Sequence, residues 1–279
     1  MNKWLMIIDI EKCENCNNCF LACKDEHYQN DWKPYTLSQP LHGHRWMNIL
    51  TREQGEFPYI SVTYLPKPCF HCEDAACVRN TSKKEIYQRS DGIVVVDPEK
   101  ARGKRNLVKA CPQGAIWWNE ENQTPQKCTL CAHLLDDGWK APRCVQACPT
   151  GALTFKSLPE EELFSFIKAN DLESFHKVMR GRSIVMYKNL SLYRKCFIAG
   201  SVATRKNGVE ECVEGVTVEL FKNGSLVDQK ITDSFGEYRF SGLPEKRGKY
   251  QIRVIYQHKV TDEFDIELVE SCFAKVSWI

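Results

Sequence analysis

An α+β chain in two unlike parts is predicted, a cysteine-rich first half and an all-β second half. Three observations carry this. Twelve of the fifteen cysteines fall before residue 150 in short spacings. Residues 159–180 place Leu163, Phe164, Ile167, Leu172, Phe175, Val178 and Met179 among charges, the pattern of an amphipathic helix. From Cys196 onward come seven short runs of alternating character separated by turns. At 279 residues two domains are expected. The boundaries read as 1–155 for the cysteine-rich part, with an insertion at 28–66, then a helical linker 156–195 and a β-sandwich 196–279.

Cys13, Cys16, Cys19 and Cys23 read C-x2-C-x2-C-x3-C. This is the ligand run of a bacterial ferredoxin, in which three thiolates bind one iron–sulfur cluster and the fourth binds the other. A shift of 88 positions lays Asp9-Ile10-Glu11-Lys12-Cys13 on Asp97-Pro98-Glu99-Lys100-Ala101 and Cys23 on Cys111. A buried strand precedes each copy, MIIDI and then IVVVD, so the first part reads as a duplicated ferredoxin-like domain. Cys128, Cys131, Cys144 and Cys148 keep all four thiols, whereas Cys69, Cys72 and Cys77 keep three and Thr81 stands in the fourth place.

Swapping the fourth ligand between paired groups gives three [4Fe–4S] clusters. Cluster one takes Cys13, Cys16, Cys19 and Cys148; cluster two takes Cys128, Cys131, Cys144 and Cys23; cluster three takes Cys69, Cys72, Cys77 and Cys111. A fourth would need Ala101, Lys104, Leu107 and Thr81, so all of its ligands are missing together. Zinc also takes four thiolates, but in two knuckles, and the run at 13–23 is too tight for that. Cys111-Pro112 and Cys148-Pro149 carry the proline that follows a cluster cysteine in bacterial ferredoxins. A disulfide framework has no need of these fixed short spacings.

Along the chain, residues 3–10 form a buried strand and Phe20 to His27 a short helix. Lys12 and Lys127 each precede a first ligand; they raise the potential of the nearby cluster or are solvated surface lysines. In the insertion, His42 and His44 lack a third metal ligand, and the richness in Trp, Tyr and Arg suits an interface. Residues 78–91 read as a polar surface loop. Residues 98–110 read as a helix with a solvated face carrying Arg102, Lys104, Arg105 and Lys109. His71 and His133 lie beside ligands and read as hydrogen-bonding neighbours, since every cluster already has four thiolates. CPQGAI (111–116) and CPTGAL (148–153) are copies of one turn, each leading into a strand. Asn223-Gly224 marks a hairpin. Cys196, Cys212 and Cys272 are irregularly spaced and read as ordinary thiols.

Lys and Arg total 38 against 36 Asp and Glu, which argues against nucleic acid or a polybasic membrane anchor as partner. There is no apolar stretch long enough to span a bilayer. The start, MNKWLMIIDIEKC, reads as a strand and not a signal peptide, and no twin-arginine motif precedes it. Thiolate clusters suit a reducing interior, so the cytoplasm is expected. The chain offers no nucleophile–base pair and no phosphate loop.

Four cysteine groups in a duplicated ferredoxin resemble the iron–sulfur subunits of the molybdopterin enzymes of the dimethyl sulfoxide reductase family, over residues 1–155. HGHRWMNI (42–49), DGIVVVDPEKARGK (91–104), KCTLCAHLLDD (127–137) and the C-terminal β part are similar to the small subunits of one branch. That branch moves a hydroxyl between polyhydroxylated benzenes such as pyrogallol and phloroglucinol. The resemblance implies a large catalytic partner in a heterodimer or higher assembly, holding molybdenum and two pterin guanine dinucleotides. It implies that the twelve cysteines are cluster ligands and that this chain holds no catalytic residue, its clusters carrying or poising electrons. It leaves open an electron-transfer subunit of a reductive dehydroxylase, an anaerobic hydroxylase or another molybdopterin oxidoreductase, and a structural subunit. The β part is expected to be a seven-stranded immunoglobulin-like or transthyretin-like sandwich.

Overall fold

The computed structural model describes residues 2–81, 84–175, 182–244 and 248–279. Contacts divide the chain into two compact units, residues 1–50 with 64–190 and residues 51–63 with 191–279.

The first unit opens with β1 (Asn2–Asp9) and α1 (Asn18–His27). A hairpin of β2 (Asn48–Glu56) and β3 (Tyr59–Lys67) follows, its outer part grouped with the second unit. Next come α2 (Ala76–Arg79), β4 (Ile86–Gln88), β5 (Val94–Val96), β6 (Trp117–Asn119), β7 (Thr124–Gln126), α3 (Ala132–Asp136) and α4 (Arg143–Gln146). The unit closes with β8 (Leu153–Pro159), α5 (Glu160–Ala169) and β9 (Val185–Lys188).

β1 lies between β8, antiparallel with Ile8 opposite Leu153, and β9, parallel with Met6 opposite Val185. A strand paired on both edges with apolar residues on both faces is fully buried, and Leu5, Met6 and Ile8 are. Leu163 of α5 packs with Leu5, Leu172 and Met186 against this sheet. Among the described residues β5 pairs only with β4, Ile86 opposite Val96.

Three expectations are corrected here. Among its described residues the helical linker at 156–195 is helical only in part. Its first residues finish β8, α5 is the one long helix, and β9 returns to pair with β1. The strand residues lie at and beyond the ends of the stretch with helical period, and pairing with β1 holds them extended. Val178, Met179 and Gly181 lie outside the described residues. The stretch 78–91 is not all loop, since it holds the end of α2 and all of β4. The expected helix at 98–110 is a run of turns and a 3-10 helix at Arg105–Ala110, because Gly103 sits at φ +74° and breaks any continuous helix.

The second unit contains α6 (Ser191–Arg194), β10 (Cys196–Lys206), β11 (Val209–Cys212), β12 (Thr217–Lys222), β13 (Ser225–Ile231), β14 (Glu237–Leu243), β15 (Lys249–Tyr256), β16 (Lys259–Glu267) and β17 (Cys272–Trp278). One sheet joins β11, β14 and β17 to β10; the other runs β13-β12-β15-β16. Inward residues of both, among them Ile198, Val202 and Phe240 from the first and Val218, Leu220, Ile252 and Val254 from the second, form one apolar core. The sequence pattern predicts seven strands and the described residues form eight. The extra strand, β11, is exposed at all four positions, so no alternation of polarity marks it. β12 and β13 are joined by Asn223-Gly224, at φ +50° and +77°, the two left-handed residues that a tight hairpin requires.

Candidate metal centres

The first ligand loop leaves β1 through a 3-10 turn at Ile10–Lys12, whose N-terminus is capped by the Asp9 carboxylate accepting from Glu11 N–H. Asn189 Nδ2 donates to the same carboxylate at 2.8 Å, tying the loop to the end of β9. Asn15 and Asn17 take positive φ, which asparagine tolerates better than most residues. This lets the chain wind from Cys13 to Cys19, and α1 then carries Cys19 and Cys23 inward, where both are buried. The CPTGAL turn brings Cys148 back before β8, and Leu153 N–H points at the Cys148 sulfur, at 3.5 Å. Leu130 and Cys131, also at positive φ, curl the third loop so that Leu130 N–H reaches the Cys128 sulfur at 3.4 Å.

Electrostatic neighbourhood sorts the thiols. Cys13 and Cys19 feel Cys16 and Cys148. Cys23 feels Cys128 and Cys131, and Cys144 feels those two and Cys23. Cys72 feels Cys69, Cys77 and Cys111. Influences also cross between sets, Cys19 on Cys144 and Cys69 on Cys128, so the set containing Cys128 is neighbour to both others.

Burial, the largest cause throughout, pushes the Cys19, Cys72 and Cys131 thiols up to about 12 and those of Cys77 and Cys128 to about 11. Cys23 and Cys144 lie well above the ordinary thiol value. Buried thiols gathered like this resist ionisation until a cation joins them, and a coordinating thiol is then deprotonated outright.

Cys69, Cys72, Cys77 and Cys111 line a cavity of about 270 Å³ together with Phe70, Ala75, Val94 and Ala115. Four soft donors around an apolar volume suit an iron–sulfur cluster. Among the described residues no three His, Cys, Asp or Glu side chains close on a single-ion position.

The four residues at the positions of the expected missing ligand set make protein contacts. Ala101 and Leu107 are buried with Ile86, Val94, Val96 and Ile116. Lys104 pairs with Glu85 at 2.5 Å, and Thr81 Oγ1 donates to the Val78 carbonyl at 2.8 Å.

The two histidines beside ligands bond elsewhere than to sulfur. His71 Nδ1 accepts from Val94 N–H at 3.0 Å, and burial holds the ring well below the usual imidazole range, so it is neutral with its proton on Nε2. His133 Nε2 meets Glu26 Oε1 at 3.0 Å, Arg143 Nε meets the other Glu26 oxygen at 3.2 Å, and Trp32 stacks on the imidazole at 4.2 Å. In the insertion, buried His44 bonds the Trp118 carbonyl at 2.9 Å, whereas His42 is exposed. Of the two lysines that precede ligands, Lys12 is exposed and Lys127 is buried. Glu26, Arg143 and Trp32 carry no spacing that singles them out, and only the fold joins them.

Among the described residues no helix is long and apolar enough to cross a membrane. The profile of the 4Fe-4S dicluster domain matches residues 60–158. The pyrogallol hydroxytransferase small subunit of Pelobacter acidigallici is 41% identical over 257 residues, covering 91% of each chain. A dimethyl sulfoxide reductase iron–sulfur subunit of Halobacterium salinarum is 31% identical, over 58% of this chain and 69% of its own. A component of the anaerobic dimethyl sulfoxide reductase of Escherichia coli is 36% identical, over 55% of this chain and 73% of its own. This protein therefore belongs to the family of the pyrogallol hydroxytransferase small subunit, among the iron–sulfur small subunits of molybdopterin-family enzymes.

Proposed function

We propose that this chain holds three [4Fe–4S] clusters, on Cys13, Cys16, Cys19 and Cys148, on Cys23, Cys128, Cys131 and Cys144, and on Cys69, Cys72, Cys77 and Cys111. It serves a larger subunit that binds molybdenum bis(pterin guanine dinucleotide) and acts on polyhydroxylated benzenes, with pyrogallol–phloroglucinol hydroxyl transfer as the reaction, in a cytoplasmic heterodimer. The observation that carries the reading is the grouping of the thiols. Residues far apart in the chain, such as Cys13 and Cys148, influence one another in the sets that the swapped ligand order requires. The identity of 41% along most of the chain supports the substrate class. The doubled ferredoxin-like arrangement is supported by the two strands β1 and β5 before the two turns, and an immunoglobulin-like or transthyretin-like sandwich by the single core shared by two four-stranded sheets.

When bound, each cluster supplies one-electron storage at a potential set by charge, hydrogen bonds and exposure. The chain's own residues do the rest. The left-handed loops aim the thiols, buried apolar side chains keep water from them, and backbone N–H groups at Leu130 and Leu153 donate to sulfur. The order of the sets, with the Cys128 set between the other two, gives a path for electrons along the first unit.

The test is the complex of this chain with its large subunit, purified anaerobically. Iron should approach about twelve per chain. Pyrogallol turnover, with a tetrahydroxybenzene co-substrate, should proceed with neither a viologen donor nor a dye acceptor. Turnover only with one of the dyes would replace hydroxyl transfer by electron transfer to or from an outside carrier, as in a dehydroxylase or hydroxylase.

A further inference from the structure

Lys127 stands immediately before the first ligand of the middle set, yet only 2% of it is exposed. Its Nζ donates to the backbone carbonyl of Val94 and, at 3.0 Å, to that of Cys128. Among the described residues no carboxylate pairs with it. Taking an ammonium out of water against neutral carbonyls is expensive unless negative charge stands close by.

The surroundings supply two places for that charge. Val94 lines the cavity enclosed by Cys69, Cys72, Cys77 and Cys111. Cys128 belongs to the adjoining set. The ammonium is thus anchored on one residue beside each set, Val94 and Cys128. The residue that anchors it is fixed through its other backbone group as well, because Val94 N–H donates to His71 Nδ1. Lys12, at the equivalent place before Cys13, is exposed, so water screens its charge.

Resting on the cluster reading above, we infer that Lys127 is the shared counter-cation of the second and third cysteine sets. An electron placed on either set adds negative charge to a buried region, and a fixed ammonium beside both lowers that cost. The charge therefore raises the reduction potential of both groups and leaves the Cys13 set, served by a screened lysine, where it is. Lys127 acts as a positioning residue through its charge and touches no reacting atom.

The experiment is a potentiometric titration, followed by electron paramagnetic resonance, of the anaerobically purified complex carrying wild-type chain, Lys127→Gln or Lys127→Arg. Glutamine keeps a donor for the carbonyls and removes the charge; arginine keeps the charge. Cys13→Ser and Cys111→Ser assign the signals. The expected result is that Lys127→Gln moves two of three midpoints to lower potential and leaves the Cys13 set in place, while Lys127→Arg moves them less. If Lys127→Gln fails to load iron and Lys127→Arg loads it, the need for the charge stands. If both fail, the shape of the side chain and not its charge is what matters, and the inference falls. It falls also if no midpoint moves or all three move together. Fewer than three titrating centres in the wild type overturns the cluster reading and this inference with it. Three centres with an unmoved glutamine variant overturns the inference alone.

Discussion

Lys104 Nζ lies 2.5 Å from Glu85 Oε1, and the glutamate side chain is 6% exposed. The pair occupies the neighbourhood where the duplicated pattern would have placed a further ligand. Lys104→Met removes a charged partner from a buried carboxylate, which costs about 1–3 kcal/mol. Urea melts of the iron-loaded protein should show that loss, and Glu85→Gln in the same chain should recover much of it. Equal stability of Lys104→Met and wild type would mean that the pair is incidental.

Cys111→Ser should remove one cluster and spare two. Iron should fall by about four per chain, from about twelve. The missing resonance should be the one also removed by Cys77→Ser. Loss of the centre held by Cys13 instead would break the swapped pairing.

Gly200 lies under the Tyr238 ring so closely that an added Cβ would run into the phenol oxygen and stand 2.5 Å from Cζ. Gly200→Ala should cost about 1–3 kcal/mol by overpacking. The damage should stay in the second unit, so the cluster spectra should be unchanged while the denaturation midpoint drops. A variant as stable as wild type would show that Tyr238 can move aside.

The Arg89 guanidinium beside Asp136 holds its carboxyl below the usual carboxylate range, with the Tyr35 hydroxyl adding to the effect. A carboxyl whose folded pKa is lowered stabilises the fold above its unfolded pKa and loses that contribution as pH falls through the folded value. Asp136→Asn should therefore be less stable than wild type by a constant amount from about pH 5 to 7, and the gap should close below about pH 4. Paired urea titrations across that range measure it. A gap that widened on acidification would refute the assignment.

The cysteine spacings carry the proposed grouping of the ligands, because ligand order in a ferredoxin-like run constrains which thiols can meet. The β-runs after Cys196 are equally legible, since alternate burial leaves a period of two in strands such as β12 and β14. What escapes reading has a physical reason in each case. β11 is exposed throughout and leaves no pattern. β9 is four residues long and is held by pairing with β1, a partner far away in the chain. Lys127 looks like any surface lysine, and only the two carbonyls at its ammonium show that it is inside.

β1 is made before both of its partners and is paired late. Its two partners, residues 153–159 and 185–188, leave the ribosome after nearly the whole first unit has been synthesised. During translation this apolar strand waits with both edges unsatisfied, a state that invites mispairing with other nascent chains. The hairpin tip at 51–63 waits longer still, for residues from 191 onward. Slow, long-range closure of this kind leaves β1 and the hairpin tip as segments that stay unpaired through much of synthesis.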